Sequence, residues 1–489
     1  MSESGGVDGE SELPAGWAWA ELGDLLHRIE AGKSFTCEPR PALPEEWGII
    51  KVSAMTWGSF DPDENKAVPA GRDINPAYEI SPGDMLVSRA NTKAYVGAPV
   101  LVGPCRPRLL LSDKSLRLIP REFVDKRWLL HFLRSPQARA YVEEKASGTK
   151  DAMRNLSQDA LRGMPVALPS LSEQHRIVEA LEVQLSRLDV AVGSLNVGQR
   201  RARGLKSAAL AAALEKIGDV PVKRLGDLLK EPLRNGHSAK ATTDSSGIRT
   251  LNLTAVTQGD FSDANTKLTV ADPNRVRDLW LTSGDILVQR SNTPDLVGTA
   301  ALYTGPDNWA IYPDLLIRVR VNEDVLPAYA TLVLQSRRGR SYFKSRAKGL
   351  AGSMPKIDQA AIEDFTIPVP SLEEQERVVT EAKEQFDRVS RISAELNRAR
   401  RRSARLRNAL LGTAFSGKLV PQNPDDEPAH DVLTRLRVER AAQPKTKRTR
   451  KVAARQPAKP PAQRAAEPAA PAPQPTPVPA LAVQQEFDL

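Results

Sequence analysis

Apolar side chains recur every three or four residues along two long stretches of the chain. In the first stretch, residues 172–217, the repeating positions are Ile177, Leu181, Leu185, Leu188, Val192 and Leu195, continued by Ala202, Leu205, Ala209 and Ala212. In the second they are Val378, Ala382, Phe386, Val389, Ser393 and Leu396, continued by Ser403, Leu406 and Leu410. This spacing, with polar residues between, predicts amphipathic helices with a coiled-coil seam. About 40 residues of helix reach roughly 60 Å.

Elsewhere short apolar runs alternate with turn residues. In the first half of the chain such runs lie at 47–52, 84–87, 99–102 and 115–119, bounded by Gly, Pro, Asn and Asp as strands usually are. A helix is predicted at 127–135, and Ser157 stands where a helix cap is expected before another helix. This mixture predicts an α+β fold.

A shift of 201 residues places much of the second half of the chain on the first. Residues 83–92 fall on 284–293, and the motif Pro-Ser-Leu-x-Glu-Gln occurs at 169–174 and again at 370–375. The period is too long for a solenoid and fits a whole domain plus a connector. The predicted order is 1–12 disordered, 13–169 first α+β domain, 170–219 helical spacer, 220–370 second α+β domain, 371–441 second helical spacer and 442–489 disordered tail.

Two such helices in one chain pack most simply on each other. A near two-fold relation between the halves makes that pairing antiparallel, with the α+β domains at opposite ends of the rod. The alternative is that each helix buries its apolar stripe on another subunit. Residues 443–479 are rich in Lys and Arg and then in Pro and Ala, with almost no large apolar side chain, which predicts disorder.

Composition narrows the choice of partner. The chain has 69 Lys and Arg against 60 Asp and Glu, a formal net charge of +9, which favours an anionic partner such as nucleic acid. Cys37 and Cys105 have no Cys or His neighbours at zinc spacing, so neither a metal site nor a disulfide framework is expected. The lack of a disulfide framework predicts a cytoplasmic location. No membrane segment is expected either.

The sequence gives little sign of catalysis. Residues 412–418 fit the spacing of a phosphate loop, but Leu419 stands where a hydroxyl should bind Mg²⁺, and a glycine that ends a helix explains Gly417 better. Helicase, nuclease and Ser/His/Asp patterns do not stand out. The prediction is a non-catalytic chain, and the rival is an enzyme such as a lone methyltransferase or nuclease.

Polar residues after the repeated strand are candidates for DNA contact. Arg89, Asn91 and Lys93 follow the strand in the first half, and Arg290 and Asn292 follow it in the second. Arginine can read guanine, asparagine can read adenine, and lysine can hold phosphate. The alternative is that this segment only builds a turn and a core strand.

A glycine-containing loop is the second candidate surface. It carries Lys150 and Arg154 in the first half, and Ser353 and Lys356 in the second. Backbone N–H groups and cations ahead of a helix suit a phosphate, whereas the alternative is a connecting loop with solvated charges.

Arginine clusters coincide on the two long helices. Arg200 and Arg201 align with Arg401 and Arg402 under the same shift. Most charge runs are solvated faces, but here a partner subunit or the DNA backbone is a candidate ligand, and we predict a partner-binding role.

The order of these motifs resembles a known family. Leu-Pro-Ala-Gly-Trp at 13–17, Leu-Gly-Asp at 22–24, the twice-used Pro-Ser-Leu-x-Glu-Gln before a long helix, and Phe-Ser-Gly-Lys-Leu-Val at 415–420 resemble the specificity subunit of type I restriction-modification enzymes. The resemblance covers about residues 13–440.

The resemblance implies two target-recognition domains, each reading one half of a split, asymmetric site in double-stranded DNA. The helices would set the distance between the halves and dock two copies of a DNA adenine methyltransferase subunit, which an ATP-dependent motor-nuclease subunit joins for restriction. S-adenosylmethionine, ATP and Mg²⁺ would belong to those partners, and this chain would hold no cofactor. The alternative is a helical adaptor that binds proteins but no specific DNA.

Overall fold

The computed structural model describes residues 13–56, 58–148, 153–349 and 354–442. Residues 1–12 and 443–489, for which the sequence predicts disorder, lie outside the described residues. Met1–Thr434 form one compact unit and Arg435–Leu489 another. The repeats and the long helices all lie in the first unit.

The first repeat, predicted at residues 13–169, mixes short strands with helices in its described part. Its strands are β1 (Ala18–Glu21), β2 (Leu26–Ala31), β3 (Gly48–Ile50), β4 (Asn65–Ala67), β5 (Met85–Ser88), β6 (Ala90–Asn91), β7 (Pro99–Leu101), β8 (Leu109–Leu110), β9 (Ser115–Pro120), β10 (Arg154–Asn155) and β11 (Pro165–Leu168), and its helices are α1 (Lys126–Leu133), α2 (Pro136–Lys145) and α3 (Gln158–Arg162). Its largest sheet has the order β2-β9-β5-β7. The α+β prediction is confirmed, and Ser157 caps α3 as predicted.

The second repeat, residues 220–370, follows the long helix α4 (Leu171–Glu215) and precedes α10 (Leu372–Phe415). Its strands are β12 (Val222–Arg224), β13 (Arg234–Asn235), β14 (Ile248–Leu251), β15 (Thr266–Thr269), β16 (Ile286–Gln289), β17 (Ala300–Leu302), β18 (Leu316–Val319) and β19 (Thr366–Pro368), and its helices are α5 (Leu253–Gln258), α6 (Pro273–Val276), α7 (Pro327–Gln335), α8 (Arg337–Arg346) and α9 (Gln359–Glu363). A last helix, α11, spans Ala429–Ala442. The sheet order β13-β18-β16-β17 repeats that of the first repeat.

The central strand of each sheet separates two apolar cores. In β5 every residue is buried; Met85 and Val87 join the core next to the long helices, whereas Leu86 joins the core on the other face. Ile286 and Leu287 are divided in the same way. Because side chains alternate across a strand, this fully buried pattern lets one short strand tie both layers of a repeat together.

The helices α4 and α10 pack on each other in antiparallel orientation. Arg407 bonds to Asp189, Leu396 approaches Gly198, and the ammonium of Lys206 lies 4.8 Å from the ring centre of Phe386, so residue numbers rise along one helix as they fall along the other. The first repeat shares a core with the start of α4 and the end of α10, and the second with the opposite ends. The predicted antiparallel rod is therefore confirmed.

The seam departs from the predicted stripe at Ala212, which is exposed while Ala213 is buried, and at one matched pair of leucines. Leu205 and Leu406, which we place on the stripe from their spacing, are 54% and 50% exposed. The next residues, Lys206 and Arg407, reach across to the opposite helix instead. The apolar part of each long side chain can pack along the partner helix. The charged groups contact the ring of Phe386 and the carboxylate of Asp189.

A buried glutamine near the start of each long helix joins the rod to its repeat. Gln174 accepts a hydrogen bond from the backbone N–H of Asp125 at 2.8 Å and donates to the carbonyls of Phe123 and Pro169 at 3.1 and 3.2 Å. Both polar atoms are used, so the fully buried amide leaves no unpaired group. Gln174 therefore fixes where α1 begins relative to α4.

Gln375 makes the same bonds at the other end of the rod. Its Oε1 accepts from the N–H of Leu326 at 2.8 Å, and its Nε2 donates to Asp324 and Pro370 carbonyls at 2.9 and 3.0 Å. The serines ahead of the two glutamines cap the helices through their hydroxyls. The twice-used Pro-Ser-Leu-x-Glu-Gln motif is thus a helix start and an anchor in one segment.

The beginning of the first repeat and the segment after α10 meet at the start of α4. The indole N–H of Trp17 donates to Glu173 at 3.0 Å, and Gln422 donates to the other carboxylate oxygen at 3.2 Å. Asp426 accepts from Ser170 and pairs with Arg176 at 2.7 Å. Burial raises the pKa of the Glu173 carboxyl, whereas the hydrogen bond from Arg176 lowers that of Asp426.

A cleft of about 530 Å³ lies between the first repeat and the rod. It is lined by His131, Arg134, Glu182, Leu185, Ser186, Asp189, Val190 and Arg407. At the positions matched by the shift of 201, Leu332 replaces the histidine and Phe386 replaces Leu185. Burial, and then the nearby Arg134 and Arg407, lower the pKa of His131 to about 4.

The glutamine anchors predict a matched pair of stability losses. Gln174→Ala leaves one N–H and two carbonyls of buried backbone without partners, so we expect the free energy of unfolding to fall by about 3 kcal/mol. Gln375→Ala is expected to have a similar effect. Urea unfolding of the full chain measures both. Gln184→Ala, on the exposed face of the same helix, is the control, and equal losses for Gln174→Ala and Gln184→Ala would contradict the anchor role.

His131 predicts a pH dependence of stability. The folded chain keeps this imidazole neutral down to about pH 4, whereas the unfolded chain binds a proton below the ordinary pKa of 6.5. Stability is therefore present above pH 6.5 and is lost as the pH falls toward 4. The loss between pH 7 and pH 5 should be about 2 kcal/mol for this group. Urea unfolding of His131→Leu, the residue type of Leu332, should lack that part of the loss; an unchanged pH profile would contradict it.

Candidate nucleic-acid interface

The sequence candidates gather at one end of the main sheet in each repeat. In the first repeat β5 ends at Ser88, which pairs with Ser115 at the start of β9, so Arg89 and Lys114 emerge side by side. The N–H of Arg89 donates to the carbonyl of Lys114 at 2.8 Å. Lys93 follows β6 on the same side.

The two surfaces that the sequence suggests separately are one surface in the structure. Strand β10 pairs with β6, which puts Arg154 opposite Asn91, and the N–H of Leu156 donates to the carbonyl of Arg89 at 2.9 Å. In the second repeat Ile357 donates to Arg290 at 2.9 Å. The loop tips, with the candidates Lys150 and Ser353, lie outside the described residues.

The two candidate asparagines are buried. Asn91 is 6% exposed; its amide donates to the hydroxyl of Ser88 at 3.3 Å, and its oxygen accepts from the N–H of Thr92 at 2.8 Å. Asn292, 9% exposed, donates to Gln289 at 2.8 Å and accepts from Thr293 at 2.7 Å. These bonds hold the turn that presents the neighbouring arginines.

The candidate cations differ in their surroundings. The guanidinium of Arg154 donates to the carbonyls of Glu143 and Ala146 and so caps the end of α2. Arg89 and Arg290 are half-buried, and Lys93 and Lys356 are exposed, with no hydrogen bond or ion pair from their side chains to another residue of the described ranges. These four remain available to an anionic ligand.

Two further cations at the same sheet end were not among the sequence candidates. Lys114 precedes β9, and Lys33 follows Gly32 at the end of β2. A side chain at position 32 would meet the carbonyl oxygen of Leu111 at 2.0 Å, so only glycine lets the chain leave the sheet there. These residues come from distant parts of the sequence, and the only signal that could have found them was their place at a strand end.

The arginines predicted to bind a partner lie near the middle of the rod. Arg200, Arg201, Arg401 and Arg402 are all exposed. Gly198 of α4 faces Leu396 of α10 near the midpoint of the antiparallel pair. That midpoint is within about one turn of the four arginines. Arg201 and Arg402 each stand four residues before an exposed leucine, Leu205 or Leu406, on the same side of their helix.

The described residues contain no group of three or more His, Cys, Asp or Glu side chains placed to hold a metal ion. Among them there is also no helix both long and apolar enough to cross a membrane. Cys37 and Cys105 are free thiols.

Known proteins with similar sequences have a common name. The specificity subunit of the type I restriction enzyme StySPI from Salmonella potsdam is 24% identical over 90% of this chain and 99% of its own length. That of EcoKI from Escherichia coli K12 is 23% identical over the same shares. That of EcoEI from Escherichia coli is 32% identical over 42% of this chain, which spans only 34% of that relative.

No family model matches the chain. Among solved structures, one from a study of complex assembly and conformational transition in a type I restriction-modification system covers 83% of this chain and 99% of its own. Its TM-score is 0.59 at 19% sequence identity, which shows a common fold. Sequence similarity along nine-tenths of the chain, together with this fold, makes the chain a relative of the specificity subunits of type I restriction enzymes.

Proposed function

We propose that this chain is the DNA-specificity subunit of a type I restriction-modification complex, with one repeat reading each half of a split site. The observation that carries the proposal is the duplicated sheet end. Each repeat presents an arginine, Arg89 or Arg290, from the same turn at the end of the same central strand, and neither side chain forms a hydrogen bond or ion pair with another described residue. Arginine is the side chain that most often reads guanine in the major groove of DNA.

The rod supports a split rather than a continuous site. Helix α4 has 45 residues, which is roughly 67 Å of helix. That length equals about 20 base pairs of duplex DNA. Since the repeats pack against opposite ends of the rod, their reading surfaces meet one duplex at two separate places.

The roles within each surface follow from burial. Arg89, Lys93, Arg290 and Lys356 are the proposed DNA contacts, with Lys150 and Ser353 as predicted contacts in the loop tips. Asn91 and Asn292, whose amides are already bonded, are proposed as positioning residues that fix the turn. Arg154 is proposed to hold the neighbouring loop through its carbonyl contacts.

The proposed division of labour leaves the chemistry to partner subunits. Residues 13–169 and 220–370 serve as target-recognition domains, and 170–219 and 371–441 as the helical spacers between them. Two copies of a DNA adenine methyltransferase subunit, which bind S-adenosylmethionine, dock on the rod, and an ATP- and Mg²⁺-dependent motor-nuclease subunit joins them. The chain acts in the cytoplasm and holds no cofactor of its own.

The matched exposed leucines support two copies of one partner. Leu205 and Leu406 are equivalent under the shift of 201, and each has an arginine one turn before it on the same side of its helix. A rod whose two helices are antiparallel presents such a patch twice, in equivalent surroundings. A protein with a complementary apolar and acidic face therefore finds two sites.

The half-site assignment predicts separable changes in specificity. In cells that express the chain with its methyltransferase subunit, Arg89→Gln should relax base preference in one half of the methylated motif, and Arg290→Gln in the other. Loss of a bidentate base contact corresponds to about 10- to 100-fold less discrimination. Genome-wide mapping of methylated adenines measures both halves at once. Lys126→Gln, at the other end of the sheet, is the control, and a variant that alters both halves alike would contradict one repeat for each half.

The docking surface predicts a change in stoichiometry. Leu205→Glu or Leu406→Glu should each remove one methyltransferase copy, because a buried carboxylate without a partner opposes docking. Native mass spectrometry of the complex should then show one copy in each single variant and none in the double variant. Val270→Glu, at another exposed apolar position in the second repeat, serves as the control. Two copies retained in both single variants would exclude this surface.

A further inference from the structure

The sheet end of the first repeat carries cations at four positions, and the second repeat keeps a cation at one of them. Lys33, Arg89, Lys93 and Lys114 leave the ends of β2, β5, β6 and β9 on one side of the repeat. Arg89 is half-buried and the three lysines are exposed. Their backbones are fixed by the register of the sheet and by the hydrogen bond between Arg89 and Lys114.

These four cations have no carboxylate partner among the residues that the structure describes. Elsewhere in the same repeat the exposed cations are commonly paired, as Arg40 is with Glu46 and Arg127 with Glu182. Asp113 is the acidic residue next to Lys114 in the sequence, and it forms no ion pair within the described ranges either. Cations that share one surface without counter-ions repel one another, and an anionic polymer removes that repulsion.

The same positions in the second repeat are mostly uncharged. Gly236 makes the same close approach as Gly32, here to the carbonyl of Tyr312 at 2.2 Å, so the next residue, His237, stands where Lys33 stands. The shift of 201 puts Pro294 in place of Lys93 and Leu315 in place of Lys114. Only Arg290 keeps its charge.

Lys356 partly restores charge to the second repeat. It lies at the position equivalent to Asn155, and its backbone forms an antiparallel β-bridge with that of Ser291. The nearby Lys348 pairs with Asp358 at 3.2 Å, so it is partly neutralised. Arg154 is already bonded to backbone carbonyls. The described cations whose side chains form neither an ion pair nor a hydrogen bond within the described ranges are therefore four on the first surface and two on the second.

We infer that Lys33 and Lys114 form a phosphate clamp that makes the first repeat the main electrostatic anchor on duplex DNA. The second repeat, with fewer phosphate contacts, depends more on base contacts and shape. The inference rests on the proposed function, since it names the ligand of the same surface as the DNA backbone. It also assigns unequal shares of non-specific binding to two repeats of one fold.

Counter-ion release makes the clamp measurable without knowledge of the recognised bases. Each phosphate contact contributes about 0.9 to the slope of log affinity against log salt. Lys33→Gln/Lys114→Gln should lower the slope by about 1.8. The reciprocal variant His237→Lys/Leu315→Lys installs the two charges in the second repeat and should raise it by about 1.8.

The experiment titrates the full-length chain with a non-specific duplex between about 50 and 200 mM salt, the range in which such contacts change affinity strongly. Fluorescence anisotropy gives the slope for each variant. Lys126→Gln/Lys223→Gln removes the same charge from the rod side of the two repeats and should leave the slope within about 0.3 of wild type. Circular dichroism checks that all variants fold.

The outcomes separate the two proposals. Wild-type binding with a slope that Lys33→Gln/Lys114→Gln does not change, or changes no more than Lys126→Gln/Lys223→Gln does, overturns the clamp and leaves the specificity role intact. If His237→Lys/Leu315→Lys does not raise the slope, the two sheet ends do not face DNA alike, and this result also overturns the clamp. A wild-type chain that binds no duplex at any salt concentration overturns the proposed function together with the clamp.

Discussion

The arrangement of this molecule depends on a buried amide used twice. Gln174 and Gln375 each join three backbone groups from two different segments to the first turn of a long helix. A buried amide with all its bonds made is stable only in one geometry, since any rotation leaves a polar group unpaired. Each repeat is therefore held at a fixed orientation to the rod, and the antiparallel packing of the rod fixes the two repeats relative to each other.

The path from that anchor to the reading surface is short. Helix α1 starts beside Gln174 and packs in the same core as Met85 and Val87 of the central strand, whose next residues present Arg89. The turn after the strand is held by Asn91. Rigid elements thus connect the rod to the cation, which is what a protein needs if it measures the distance between two contacts on a polymer. The outer parts of the repeats differ, with a three-stranded sheet in the first and a two-stranded one in the second, without disturbing this path.

The sequence predicts the features that depend on periodicity, but it does not predict those that depend on contacts between residues distant in the chain. The heptad spacing and the shift of 201 predict both long helices, their antiparallel packing and the equivalence of the repeats. The placement of Leu205 and Leu406 on the seam is wrong, because Lys206 and Arg407 can reach across the rod and spacing alone does not show which neighbour does so. Lys33 and Lys114 were missed because a sheet register, not sequence distance, brings them beside Arg89. The burial of Asn91 could not be predicted either, because the sequence does not distinguish an asparagine that holds a turn from one that faces a ligand.

Duplication explains why asymmetry of charge is tolerated here. The positions that hold the backbone, such as Gly32 and Gly236, cannot vary, because any side chain would overlap a carbonyl oxygen. The residues that follow them are the exposed Lys33 and the half-buried His237, whose side chains form no hydrogen bond within the described chain. Each repeat can therefore change its charge and its base contacts without a cost in folding. A subunit that must read two unlike half-sites through two copies of one fold requires that independence between scaffold and surface.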